Sequence, residues 1–94
     1  MIVEWSDPAR DDFFALAKYI ADDDPKAAID VLDRIDAAVG RLAEHPRSGR
    51  PGRIADTREL VIPSLPYIVV YRIRDGRVYI LSVFHAARKW PRLS

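Results

Sequence analysis

The sequence has no cysteine, one methionine and only four glycines in 94 residues. Without thiols, neither a disulfide framework nor a cysteine zinc site can form. No apolar run approaches the roughly 18 residues of a membrane span. The N-terminus, MIVEWSDPAR, has no basic segment leading into an apolar one, so no secretory signal is expected either. The stretch GRPGR at 49–53 lacks the strand-then-helix context of a phosphate loop, and no serine lies in a nucleophile elbow. The two histidines, His45 and His85, are far apart and have no acidic partners at ligand spacing. No metal and no cofactor are expected, and the expected location is the cytoplasm.

What is present is globular: 49% hydrophobic and 31% charged residues. A chain of this length builds one small core, burying about 60–65% of its unfolded surface, so residues 1–94 are read as one domain. The net charge of +1 conceals a division. Residues 1–45 hold 11 acids and 5 bases, a net −6, and residues 46–94 hold 10 bases and 3 acids, a net +7. Twelve of the 15 bases are arginine, whose planar fork suits carboxylate and phosphate recognition. Such asymmetry points to a molecule whose basic half meets an acidic partner or a phosphate backbone.

Local signals predict the elements. Ile2-Val3-Glu4-Trp5 alternates like a short strand, with Trp5 in the core. Asp7 is the expected cap of a first helix, with Pro8 in its first turn. That helix presents Ala9, Phe13, Leu16, Ala17 and Ile20 on one face. Asp24-Pro25 starts a second helix burying Ala28, Leu32, Ile35, Val39 and Leu42 and ending at His45-Pro46. Its acids, with Asp11 and Asp12 of the first helix, read as a solvated face. Residues 46–56 read as loop. Three strands follow: Thr57 to Ile62, Tyr67 to Ile73, and Arg77 to Phe84, with Asp75-Gly76 as a tight hairpin turn. YIVVYRI is apolar on both faces, so it is the expected central strand. The order is β-α-α-β-β-β. The class is α+β, a helical hairpin packed on an antiparallel sheet.

The candidate functional residues are basic. Arg47, Arg50, Arg53 and Arg58 flank the second strand, Arg72 and Arg74 lie on the third, and Arg88, Lys89 and Arg92 surround Trp90 in the tail. An independent nucleic-acid module would need exposed aromatics among them, and only Trp90 and Tyr79 qualify.

The loop RSGRPGR, the stretch TRELVIPSLPYIVVYRI and the ending ILSVFHAARKWP, in this element order, resemble the RelE/ParE superfamily of toxins from bacterial toxin–antitoxin modules. The resemblance spans essentially the whole chain. It implies one of two activities: ribosome-dependent cleavage of messenger RNA, as in RelE-like members, or poisoning of DNA gyrase without a catalytic site, as in ParE-like members. RelE-like enzymes use basic residues of the second and third strands plus an arginine and a tyrosine in the tail. Here Glu59 and Val61 occupy the lysine positions, Ile68 the third-strand arginine position, and Ala86 the tail arginine position. The tail has no tyrosine, Arg92 falling near that slot. A glutamate in a phosphate-binding position repels the substrate. The resemblance therefore implies a ParE-like toxin that binds gyrase and stalls it with DNA cut. The alternative ribonuclease site would be His85 with Arg58, Arg72 and Arg88. A ParD-like ribbon-helix-helix antitoxin is the implied partner in a hetero-oligomer. Arg50, Arg53, Arg58, Arg72, Arg88, Lys89 and Trp90 are the residues expected to meet antitoxin or target.

Overall fold

The computed structural model describes residues 1–87. The elements, in chain order, are β1 (Ile2–Trp5), α1 (Asp7–Asp23), α2 (Pro25–Gly40), a 3₁₀ turn (Arg41–Ala43), β2 (Arg50–Pro51), β3 (Arg58–Val61), β4 (Tyr67–Arg74) and β5 (Arg77–His85). No helix among the described residues is long and apolar enough to cross a membrane.

Ser6, not Asp7, caps α1. Its backbone is extended and its Oγ accepts the Ala9 N–H at 3.2 Å, which leaves Asp7 inside the first turn. There its carboxylate faces the positive end of the helix. Asp24 does two jobs. Its N–H closes α1 onto the Ile20 carbonyl, and its Oδ1 accepts the N–H groups of Lys26 and Ala27 to open α2. A single residue between two helices forces a tight hairpin. α2 ends at Gly40, earlier than expected, and the following 3₁₀ turn buries Leu42.

The sheet order is β1-β5-β4-β3-β2. The pairs β2–β3, β3–β4 and β4–β5 are antiparallel. β1 runs parallel to β5, with Ile2 opposite Arg77 and Trp5 opposite Ile80. The sheet is therefore mixed at this edge, because parallel neighbours need a long crossover, which the helical hairpin begins. β2 lies within the expected loop. Its Pro51 is tolerated because β2 is the outermost strand. The β4–β5 turn has positive φ at both Asp75 (53°) and Gly76 (73°), the conformation that a two-residue hairpin requires.

The helices cover one face of the sheet. Ile35, Val39 and Leu42 pack there with Val69, Tyr71, Val78, Ile80 and Val83, and Trp5 and Phe13 pack against this core from the side. Ile68, Val70 and Phe84 form a smaller cluster on the opposite face, so the central strand is covered on both sides as expected. A bulge makes this partition possible. Val70 pairs with Ser82 but Tyr71 pairs with Ile80, which leaves Leu81 as an extra residue. The extra residue inverts the alternation. Val78 and Ile80 face the helices before it, and Val83 faces them after it.

Candidate functional site

The sheet divides the arginines expected to act together. Residues directly opposite each other in adjacent strands share a face. Arg58 is opposite Tyr71 and so lies on the helix side. Its Nη1 donates to the carbonyls of Gly49 (2.9 Å) and Arg47 (3.3 Å), fastening the 46–49 segment. Arg50 is opposite Glu59, which is opposite Val70 of the other face. Arg53 joins that face by placing its guanidinium 5.5 Å from the Phe84 ring centroid.

Glu59 organises this second face. Its side chain is 1% exposed, while those of Arg50 and Arg53 are 54% and 45% exposed. Arg50 Nη2 donates to Oε1 at 3.1 Å, and the Arg53 N–H donates to Oε2 at 3.0 Å. Arg53 Nε lies 3.5 Å from the same Oε2. A buried carboxylate must be paired to be tolerated, and here two cations are held for that purpose. Val61 pairs directly with Ile68. The three positions where the ribonuclease pattern calls for cations thus share one face and hold a clamped carboxylate and two apolar side chains. Ala86 is exposed just after β5.

Arg72 and Arg74 converge on Asp56. Arg74 Nη2 donates to Asp56 Oδ2 at 2.5 Å, and Arg72 Nε is 3.5 Å from that oxygen. His85 belongs elsewhere. It pairs with Tyr67, and its ring meets the Tyr67 ring edge-on at 5.6 Å. Its Nδ1 accepts the Ala87 N–H at 3.1 Å. Tyr67 and Arg72 are five strand residues apart, about 16 Å. The structure therefore does not gather His85, Arg58 and Arg72 into one site. His85 instead lines a groove with Asp11 and Asp12. Arg88, Lys89, Trp90 and Arg92 lie outside the described residues.

Two groups escaped sequence reasoning. Asp12 is not part of a solvated face: its Oδ2 accepts from Ser82 Oγ at 2.8 Å and from the Val83 N–H at 3.1 Å. β1 ends at Trp5, and Asp12 takes over the edge of β5 beyond it. Tyr71 is fully buried, and desolvation holds its phenol pKa above the usual 10.0. Its position in an apolar run gave no sign of a polar role.

The comparisons with known proteins return toxins named ParE and toxins named RelE. A family model described as the ParE toxin of a type II toxin–antitoxin system, parDE, matches residues 3–90. The chain is 50% identical over 92 residues to the Y4kP protein of Sinorhizobium fredii, covering 97% of this chain and 94% of that one. It is 40% identical over 86 residues to Toxin RelE2 of Caulobacter vibrioides, covering 92% and 96%. Its fold is similar to a chain of the chromosomal ParDE system from P. aeruginosa, with a TM-score of 0.80 at 23% identity, covering 90% and 95%.

Proposed function

The chain belongs to the ParE toxin family of type II toxin–antitoxin systems, and on that premise we propose that it binds DNA gyrase as a ParE-like toxin and is neutralised by a ParD-like antitoxin. The observation that supports the gyrase reading most is Glu59 on the face it shares with Val61 and Ile68. Cleavage at a 2′-hydroxyl needs a base and cations aimed at the phosphate. That face offers a buried carboxylate holding two arginines by their heads. His85, the one histidine of the C-terminal half, lines a groove with acids of α1, which repel a phosphodiester. Inhibition by protein–protein contact asks for neither base nor phosphate site.

The antitoxin reading is supported by the fold neighbour, which is itself a toxin–antitoxin system. The arginine-bearing sheet is suited to acidic side chains, and apolar side chains of a flexible antitoxin segment fit beside the helices.

The deciding experiment incubates the purified chain with gyrase and supercoiled plasmid, and in parallel with ribosomes translating a defined messenger RNA. Gyrase-dependent DNA breaks with intact message are expected. Codon-specific cleavage of the message, abolished by His85→Ala, would establish the ribonuclease reading instead.

A further inference from the structure

Most arginines of the C-terminal half are held by carboxylates. Arg50 and Arg53 meet Glu59, Arg72 and Arg74 meet Asp56, and Arg77 meets Glu4. Among the described residues of that half, only Arg47 and Arg58 meet no acid, and both line one cleft of about 300 Å³. Pro51, Asp56, Thr57 and Ile73 complete its wall. The cleft lies on the helix side of the sheet, at the end of the β3–β4 pair: Arg58 is opposite Tyr71, and Ile73 is opposite Val78. The two arginines are held differently. Arg58 Nη1 is fixed by the carbonyls of Gly49 and Arg47, which leaves the Nε and Nη2 donors of a positioned guanidinium without a protein partner among the described residues. The bond to the Arg47 carbonyl also sets the Arg58 head beside Arg47 itself. Arg47 is exposed, and its guanidinium has no protein partner among the described residues. Asp56, the one acid in the wall, is already engaged by Arg72 and Arg74, so two cations offset its charge.

A single guanidinium fork satisfies both oxygens of a carboxylate, whereas two forks on one cleft match the additional oxygens and the higher charge of a phosphate. We propose that the cleft between Arg47 and Arg58 binds a phosphate group, with Arg58 as the fixed half of the clamp and Arg47 closing from the solvent side. Pro51 and Ile73 offer apolar surface to whatever the phosphate carries. The cleft holds a phosphate without cutting it. The Tyr71 hydroxyl beside it is committed to Gly49 and Pro46. His85 pairs with Tyr67, four strand residues from Tyr71 or about 13 Å away. The inference therefore does not rest on which target the toxin reaches. Two sources share this chemistry, a free phosphate monoester and the phosphodiester of a nucleic-acid strand, and the test separates them.

The test uses the full chain, isotope-labelled, titrated by NMR at matched ionic strength with inorganic phosphate, thymidine monophosphate, the dinucleotide thymidylyl-thymidine and acetate. Saturable shifts are expected at the Arg58 Nε–H and at the amides of Arg47, Ser48 and Thr57. The best phosphate ligand should bind about fivefold or more tighter than acetate. Tighter binding of the monophosphate assigns a free monoester, and tighter binding of the dinucleotide assigns a nucleic-acid strand. Arg47→Gln should weaken phosphate binding about three- to tenfold. Its melting temperature should match the wild type, because the Arg47 head has no protein partner to lose. Arg41→Gln, exposed and outside the cleft, should leave binding unchanged. Acetate binding as tightly as every phosphate ligand, shifts confined to another surface, equal weakening by Arg41→Gln, indifference to Arg47→Gln, or no saturation at millimolar phosphate would each overturn the proposal.

Discussion

The Tyr71 hydroxyl accepts the N–H of Gly49 at 2.8 Å, across 22 residues of sequence, and donates to the Pro46 carbonyl at 2.7 Å. One phenol in the centre of the sheet thereby fixes the segment that leads into β2. The contact also explains the glycine: a Cβ at position 49 would lie 2.6 Å from the Tyr71 oxygen. Tyr71→Phe leaves a buried N–H without an acceptor and should cost about 1–3 kcal/mol in urea unfolding. Gly49→Ala should cost a similar amount through overpacking.

The same phenol makes stability fall at high pH. Burial raises its pKa in the folded state above 10.0. Above pH 10 the unfolded chain therefore releases the proton while the folded chain keeps it, and stability declines until the folded pKa is reached. Urea midpoints at pH 9 and pH 11 should drop more in the wild type than in Tyr71→Phe. Equal drops would show that Tyr71 does not contribute.

Glu59 and its two arginines should respond unequally to substitution. Glu59→Gln keeps the shape and leaves half-exposed arginines that water can solvate, at a cost of about 1–2 kcal/mol. Removing both cations in Arg50→Ala with Arg53→Ala strands a buried carboxylate and should cost about 3–5 kcal/mol. Denaturant unfolding of the two proteins checks the order.

Asp12 should protect the β5 edge. Asp12→Ala leaves the Val83 N–H and the Ser82 hydroxyl unpaired and should cost about 1–3 kcal/mol, with faster amide exchange at Val83. Asp12→Asn keeps an acceptor oxygen and should cost less. Unchanged exchange at Val83 in Asp12→Ala would refute the role.

In cells, a gyrase poison should induce DNA-damage signalling and filamentation while transcripts remain uncut. In the tail, Trp90→Ala should weaken toxicity or antitoxin affinity by about 2–4 kcal/mol if it anchors a partner, against about 0–1 kcal/mol for Lys89→Ala. Thermal unfolding of Trp90→Ala separates this from a loss of core packing.

Much of the architecture was written in short-range chemistry. The three- and four-residue spacing of α1 and α2, the Asp24-Pro25 boundary and the Asp75-Gly76 turn each act within a few residues, so the sequence alone was enough to place them. The family was equally legible, because its motifs are contiguous runs. The site was legible only in its composition. Glu59 was visible as a misplaced charge, but its burial against Arg50 and Arg53 depends on how β2 folds onto β3. The arginines were visible as a set, but strand pleating sends Arg58 to one face and Arg72 to the other. The parallel pairing of β1 with β5 and the grip of Asp12 on Val83 join residues some 70 positions apart. Such contacts depend on how two surfaces fit once the chain has closed, and no local preference in the sequence encodes that fit.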